Sequence, residues 1–526
     1  MHYNGLHTQL TPAIGAILRN TIGFWFSLTC LIVLAALPIW RTSASKKQRS
    51  SLLIVGGTVI DGTGARRRVA DVRIVGDQIS AIGKLKPLAG ERVIDAHNQI
   101  VAPGFVDIHN HSARGLLTEP QAKSQILQGI TTLAVGPDGD SPFPLSQYLA
   151  ELEQRPGTVN VLAFIGHATI RQKVLGADYK RAATAAEIAR MTALVEQAMR
   201  EGAVGLSTGL EYDIGNPSTT EEVISLARVA ARFGGIYMSH VRDESDDAIN
   251  AFQEAIRIGQ KAKLPVQISH IKLGTVSVWG KSKEVVALIE KARHTGFDIT
   301  ADCYPYDAWS STITVLVPSR RHDDPTAVNK GLADVGGGDN VLVTNCAAHR
   351  DYEGNTLEQI AKSNNRTASA VYMEIVRDGG ASVVCKAMKE SDIRTFYQQP
   401  WVMVASDGGI GGRHPRGAGT FPRVLGRYVR EWQWLGLEEA VRKMSSFPAW
   451  RLGLRDRGFI KVGMKADLVM FDAAKVLDQS TMTAPTSAPI GIQAVIVNGI
   501  PVFENGQFTE AKPGTVLRRT RGSAVK

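Results

Sequence analysis

The distribution of apolar residues divides the chain into distinct stretches. Residues 22–40 are apolar apart from small or weakly polar side chains. At about 1.5 Å per residue, such a stretch is just long enough to span a bilayer core as a helix. A polar linker at 43–50 leads into short β-rich runs separated by Gly and Asp turns, at 52–60, 69–75, 78–82 and 91–95. Comparable runs return at 467–472, 493–497 and 501–503, so the two ends are expected to build one small β-domain. Between them, short apolar strands alternate with helical stretches such as 185–201, 220–233, 247–261 and 282–294. That alternation predicts parallel βα units. Eight strand candidates end near His109, Val135, Ile165, Ser207, Ser239, Ser269, Asp302 and Ala405. Eight is the strand count of a (β/α)8 TIM-like barrel, an α/β fold. About 100 residues separate the last two strands, too many for a simple loop. Residues 317–399 are therefore expected as an insertion that caps the barrel mouth. The expected division is 1–50 for the hydrophobic segment and linker, 51–100 for the first part of the β-domain, 101–455 for the barrel, and 456–526 for the second part of the β-domain with a C-terminal tail.

Composition narrows the function classes. A 526-residue chain that is 44% hydrophobic and 21% charged can bury a large core without disulfide staples. The net charge of +10 invites a nucleic-acid reading. However, Lys and Arg are scattered, and the densest clusters are short: Lys46, Lys47 and Arg49; Arg66 to Arg68; Arg518, Arg519 and Arg521. Nothing resembles a base-reading motif, so no nucleic-acid partner is expected, and the positive field suits anionic substrates instead. The four cysteines form no CxxC pair, which excludes a cysteine zinc knuckle; the Cys346–His349 spacing has no second pair to complete a site. Around residues 22–40, Arg19 precedes and Arg41, Lys46, Lys47 and Arg49 follow. The segment reads as a signal peptide ending at Thr42-Ser43-Ala44, as an uncleaved anchor or, third, as a buried core helix, and the downstream charge opposes easy export. A membrane-associated or exported chain is expected, with its topology open.

The candidate chemistry lies at the strand ends. The first barrel strand closes with Val106-Asp107-Ile108-His109-Asn110-His111. Alternation along a strand puts residues two apart on one face, so both imidazoles can grip one ion. Asp107 is expected to face away from the pair by the same alternation, as supporting structure. His240 follows strand five, His270 strand six and Asp407 strand eight. All five fall at the C-terminal strand ends, where barrel enzymes keep their chemistry. Imidazole with carboxylate ligation suits Zn2+, in one or two divalent ions per site, and such an ion brings a bound water towards pKa ~7 and polarises a carbonyl. Asp407 can take the water's proton and return it to a departing amine, as general base and then acid.

Several further strings carry a resemblance: Pro103-Gly104-Phe105 leading into the HxH pair, Gly129-Ile130-Thr131-Thr132, Gly205-Leu206-Ser207-Thr208-Gly209-Leu210, Ser239-His240-Val241-Arg242, Ser269-His270-Ile271-Lys272, Tyr304-Pro305-Tyr306, Ser406-Asp407-Gly408, and His414-Pro415-Arg416. In that order, over residues 52–510, the chain resembles the amidohydrolase superfamily and, within it, the N-acyl-D-amino-acid deacylases (D-aminoacylases). The resemblance implies a hydrolase of linear amides, in which metal-bound hydroxide cleaves an N-acyl-D-amino acid to a carboxylate and a free D-amino acid. It also places substrate contacts on Lys272, Tyr304, Ser310 and Arg416, of which the two cations can clamp the substrate carboxylate. D-aminoacylases commonly carry a metal-binding cysteine after strand two. This chain has Asp138 there, in Gly136-Pro137-Asp138-Gly139-Asp140, and Asp138 is expected as a sixth metal ligand that can bridge two ions. His167 reads as a pocket-lining or a structural residue, and His414 as a shaper of the Arg416 loop. His97, His294, His322 and His349 fall outside the motifs. Other readings of the same site are a cyclic-amide hydrolase of dihydroorotase or hydantoinase type, a dipeptidase, and a non-catalytic membrane-tethered binding protein. The sequence leaves the oligomeric state open.

Overall fold

The computed structural model describes residues 51–519 of the chain. The expected hydrophobic segment and linker lie outside the described residues, among which no helix is long and apolar enough to cross a membrane.

Eight parallel strands form the barrel: Phe105–Asn110, Ile130–Val135, Asn160–Ala163 continued by Ile165–Gly166, Gly205–Gly209, Ile236–His240, Val266–Ile268, Ile299–Cys303 and Val402–Val404. The third strand is interrupted at Phe164, whose amide donates to Val135 O at 2.9 Å, while Val204 N donates to Ala163 O at 2.9 Å and carries the pairing on to strand four. Closure between strands eight and one is made at the C-terminal ends of the strands: Asp407 N donates to His109 O at 2.9 Å and His111 N to Gly408 O at 2.7 Å. Inside the barrel, Val106, Ile108, Leu162, Phe164, Met238 and Met403 form one apolar cluster, which Ala449 and Leu452 join.

Strand one departs from simple alternation. Its register against strand two shifts between Asp107 and Asn110. Strict alternation would put Asp107 on the face of His109. With this β-bulge, Asp107 instead accepts from Ser406 N at 3.0 Å and from Asn110 Nδ2 at 2.8 Å, binding strand one to strand eight on the outer side. Asp107 does face away from the histidines, but the bulge is the reason.

Two sheets make the β-domain. One has the strand order Gln78–Gly83, Asp71–Val75, Ser51–Val55, Arg92–Asp95. The other joins the chain ends, because Leu468–Phe471 pairs antiparallel with Ile100–Pro103. Leu52, Ile54, Val72, Ile74, Leu468 and Ile496 share the core between them. After the last strand, Gln507–Phe508, the tail returns to the barrel, where Val161 N donates to Thr515 O at 2.9 Å.

The insertion begins earlier and ends earlier than residues 317–399. Its three-stranded antiparallel sheet already starts at Trp309–Thr312, which pairs with Ser382–Cys385, and Val341–Asn345 lies on the other side of that strand. The helix Glu390–Tyr397 belongs to the barrel, where it packs on the helix Ser282–His294. The sequence offered no boundary at Trp309 because a four-residue strand carries too little periodicity to stand out.

Candidate metal centre

Each expected ligand leaves the C-terminal end of a barrel strand or the turn just beyond it, and three do so in a costly backbone conformation. Asp138, His270 and Asp407 have φ of 54°, 31° and 49°. Non-glycine residues adopt such angles rarely, and they persist where surrounding structure holds them. The Asp407-Gly408 turn presses directly on Arg416-Gly417: a Cβ at Gly408 would fall 2.5 Å from Gly417 Cα. That close approach requires glycine and brings Arg416 to Asp407.

Asp138 is the hub. Its Oδ2 lies 3.2 Å from His109 Nε2, 3.4 Å from His270 Nε2, 3.5 Å from His111 Nε2 and 3.9 Å from His240 Nδ1. Asp407 Oδ1 stands 3.3 Å from His109 Nε2 and 3.1 Å from His111 Nε2. His240 Nδ1 and His270 Nε2 are 2.8 Å apart. Donor atoms of His109, Asp138, His270 and Asp407 all fall within 4.8 Å of one another. The second carboxylate oxygen, Asp138 Oδ1, is buried with no hydrogen-bond partner. Converging imidazole and carboxylate donors around an oxygen left without a partner fit one or two divalent cations of Zn2+ type.

Burial and charge set the protonation of the cluster. Burial disfavours charged His109, but Asp138 and Asp407 outweigh it and hold the imidazole pKa well above its usual value. His240 behaves likewise: burial opposes its charge, Glu244, Asp138 and Glu211 favour it, and the result is raised to about 10. Burial alone would lift Asp407, yet Arg416 and the imidazoles of His109 and His270 hold it well below the carboxylate range. The Arg416 Nη1 to Asp407 Oδ2 distance is 2.7 Å.

Beside the cluster, a cavity is walled by His240, His270 and Asp407 on the barrel side and by Trp309, Leu316 and Val335 of the insertion. The expected substrate residues Lys272, Ser310 and Arg416 also line it, and Lys272 and Arg416 are the cationic residues other than histidine in its lining. Lys272 is no solvated surface lysine. It is buried, and its Nζ donates to Glu244 at 2.7 Å and stands 2.7 Å from His270 Nδ1. Tyr304, expected as a substrate contact, lies behind this wall. Its ring sits under Arg416 at 4.9 Å and its hydroxyl donates to Met388 Sδ at 3.5 Å.

The structure also brings in residues that motif reading missed. Asp302 Oδ1 accepts from His270 N at 2.8 Å and lies 3.2 Å from His109 Nδ1. Glu244 neutralises Lys272, and Glu211 Oε2 lies 2.7 Å from His240 Nε2. Asp302 ends strand seven, the position that singled out Asp407 on strand eight. Glu211 and Glu244 sit in loops with no periodic signal. His414 stays neutral: burial and Arg416 hold its pKa well below the usual value, its Nδ1 accepts from Arg416 N at 3.0 Å, and its Nε2 donates to Ala308 O at 3.1 Å. His167 points into a buried ion cluster, 2.9 Å from Glu222, which Arg171 also grips. His349 pairs with Asp378 at 2.9 Å in the insertion.

Comparison with known proteins agrees with this architecture. Residues 92–503 match the amidohydrolase family. The chain is 36% identical to a D-aminoacylase of Alcaligenes xylosoxydans xylosoxydans over 506 residues, covering 91% of this chain and 99% of that one. It is 37% identical to an N-acyl-D-glutamate deacylase of the same organism, covering 90% and 97%. Among solved structures, the N-acyl-D-glutamate deacylase of Bordetella bronchiseptica, complexed with zinc and a phosphonate mimic of the tetrahedral intermediate, superposes with a TM-score of 0.82 at 34% identity, covering 90% of this chain and 100% of that chain. With a matching family model over most of its length and relatives this similar end to end, the chain belongs to the amidohydrolase family.

Proposed function

We propose that this protein is a metal-dependent deacylase that cleaves N-acyl-D-amino acids to a carboxylate and a free D-amino acid. The observation that carries the reading is the placement of Asp407. One carboxylate oxygen faces His109 and His111, the other is held by Arg416, and the group opens on a cavity with two fixed cations. The deacylase relatives support the substrate class, and the zinc in one of them supports the metal.

His109, His111, Asp138, His240, His270 and Asp407 would hold one or two Zn2+ ions. A bound divalent ion would polarise the amide carbonyl and make a water easier to deprotonate. Asp407 takes the proton of the attacking water as the water's oxygen bonds to the acyl carbon. It then gives the proton to the amide nitrogen as the C–N bond breaks. Asp302 fixes His109 and the His270 backbone, so the ligands keep their aim. Arg416 has five N–H donors, more than Asp407 uses, and the rest suit a substrate carboxylate. Ser310 and Lys272 contribute from the same wall, while Tyr304 steadies Arg416 from behind.

Residues 22–40 complete the reading by tethering or exporting the enzyme, supported by their apolar run and basic flanks. Mass spectrometry of the mature N-terminus separates an anchor from a cleaved signal. The catalytic reading is tested by turnover of paired D- and L-N-acyl amino acids by zinc-loaded protein. Preference for the D series is expected; hydrolysis of cyclic ureides or dipeptides alone would overturn it.

A further inference from the structure

An amide substrate has two ends, and two cavities share residues with the candidate metal cluster. The first holds Lys272 and Arg416. The second, of about 420 Å3, lies beyond His111 and shares that residue with the cluster. Its walls are Ala113, Leu117, Pro142 and Tyr148, with Arg114 and Asp140 as its charged members. The Tyr148 hydroxyl is spent on Ala113 O at 3.0 Å, and the ring is left to line the space. Of the candidate ligands only His111 lines this cavity, and its side chain is 40% exposed, whereas those of Asp407 and Asp138 are 6% and 5% exposed.

We infer that the second cavity is the acyl subsite and that it takes an apolar acyl chain of several carbons. This rests on the deacylase reading. With the amino-acid carboxylate at Lys272 and Arg416 and the scissile carbon at Asp407, the acyl group must leave the cluster in another direction. The way past His111 leads to aliphatic and aromatic walls. Each acyl methylene buried there is worth roughly a fourfold gain in binding.

The test compares N-acetyl-, N-butanoyl- and N-hexanoyl-D-leucine on the zinc-loaded full chain. Wild type is expected to show a hexanoyl-to-acetyl ratio of kcat/KM of roughly ten or more. Leu117→Trp and Ala113→Phe, each filling the second cavity, are expected to lower that ratio at least tenfold. Leu316→Trp, in the first cavity, is expected to leave the ratio alone. A ratio does not depend on how much of a variant folds. A wild-type preference for acetyl, an unchanged ratio in both filling variants, or a ratio that moves with Leu316→Trp would overturn the subsite. Absence of turnover on every N-acyl-D-amino acid would instead overturn the deacylase reading and, with it, this one.

Discussion

The guanidinium of Arg416 meets the carboxylate of Asp407 at 2.7 Å, with both side chains almost wholly removed from water. The residue suited to bind the substrate carboxylate is therefore also the counter-charge of the group suited to move the proton. On the proposed reading, binding and chemistry are coupled through this one ion pair. Arg416→Ala is expected to lower kcat as well as raise KM, with kcat/KM falling roughly a hundredfold or more, because breaking a buried pair costs on the order of 3–5 kcal/mol. Steady-state kinetics on an N-acyl-D-amino acid decides the matter. A change confined to KM would reduce Arg416 to a substrate contact.

Asp407→Asn removes the proton carrier while keeping the shape. Turnover should fall about 10²- to 10⁴-fold, with circular dichroism unchanged and at least one metal ion retained. Near-normal turnover would exclude the base role.

Asp138 offers one oxygen to four imidazoles and leaves the other without a partner. Asp138→Ala should lower the metal content of the purified protein. Asp138→Cys should restore it with a shift towards softer, thiolate-preferring ions. Metal analysis by mass spectrometry reads both. Equal stoichiometry and affinity in Asp138→Ala and wild type would remove Asp138 from the ligand set.

Lys443 is buried below strand eight, where its ammonium donates to Val402 O at 2.7 Å, and burial lowers its pKa from 10.5 to about 8. Between about pH 8 and 10.5 the unfolded chain binds this proton more tightly than the folded one. Stability contributed at this site therefore rises with pH through that window. Relative to Lys443→Met, wild type should gain up to about 3 kcal/mol from pH 7 to pH 10.5. Thermal melts of the two proteins across that range test it, and a difference independent of pH would contradict it.

Glu222 is fully buried, with Arg171 at 2.6 Å and His167 at 2.9 Å. Glu222→Ala would strand a buried guanidinium and should cost about 3–5 kcal/mol, measured by denaturant unfolding. Metal content should not change, since His167 turns to Glu222 and stands outside the centre. Loss of metal without loss of stability would place His167 in the site instead.

The barrel and the strand-end positions of most candidate ligands were legible in the chain because local pattern carries them. Alternating strands and helices set the fold class, and the strand-end positions of His109, His111, His240, His270 and Asp407 follow from counting strands. The double origin of the β-domain was legible for the same reason: both ends carry short β-rich runs. The insertion's boundaries were not, since short strands blend into loops.

Relationships that join distant positions were decided only by the tertiary structure. The bulge at Asp107–Asn110 separates Asp107 from His109, two residues on, although simple alternation would put both on one face. Glu244 neutralises Lys272, 28 residues on, and Asp302 steadies His109 across 193 residues. No periodicity encodes such pairings; they exist because barrel closure brings the ends of separate strands within hydrogen-bond reach. By itself the sequence determined which residue types stand at the barrel mouth. Folding decided which of them share a proton or a charge, because those interactions depend on distances of a few ångströms between segments that local pattern cannot relate.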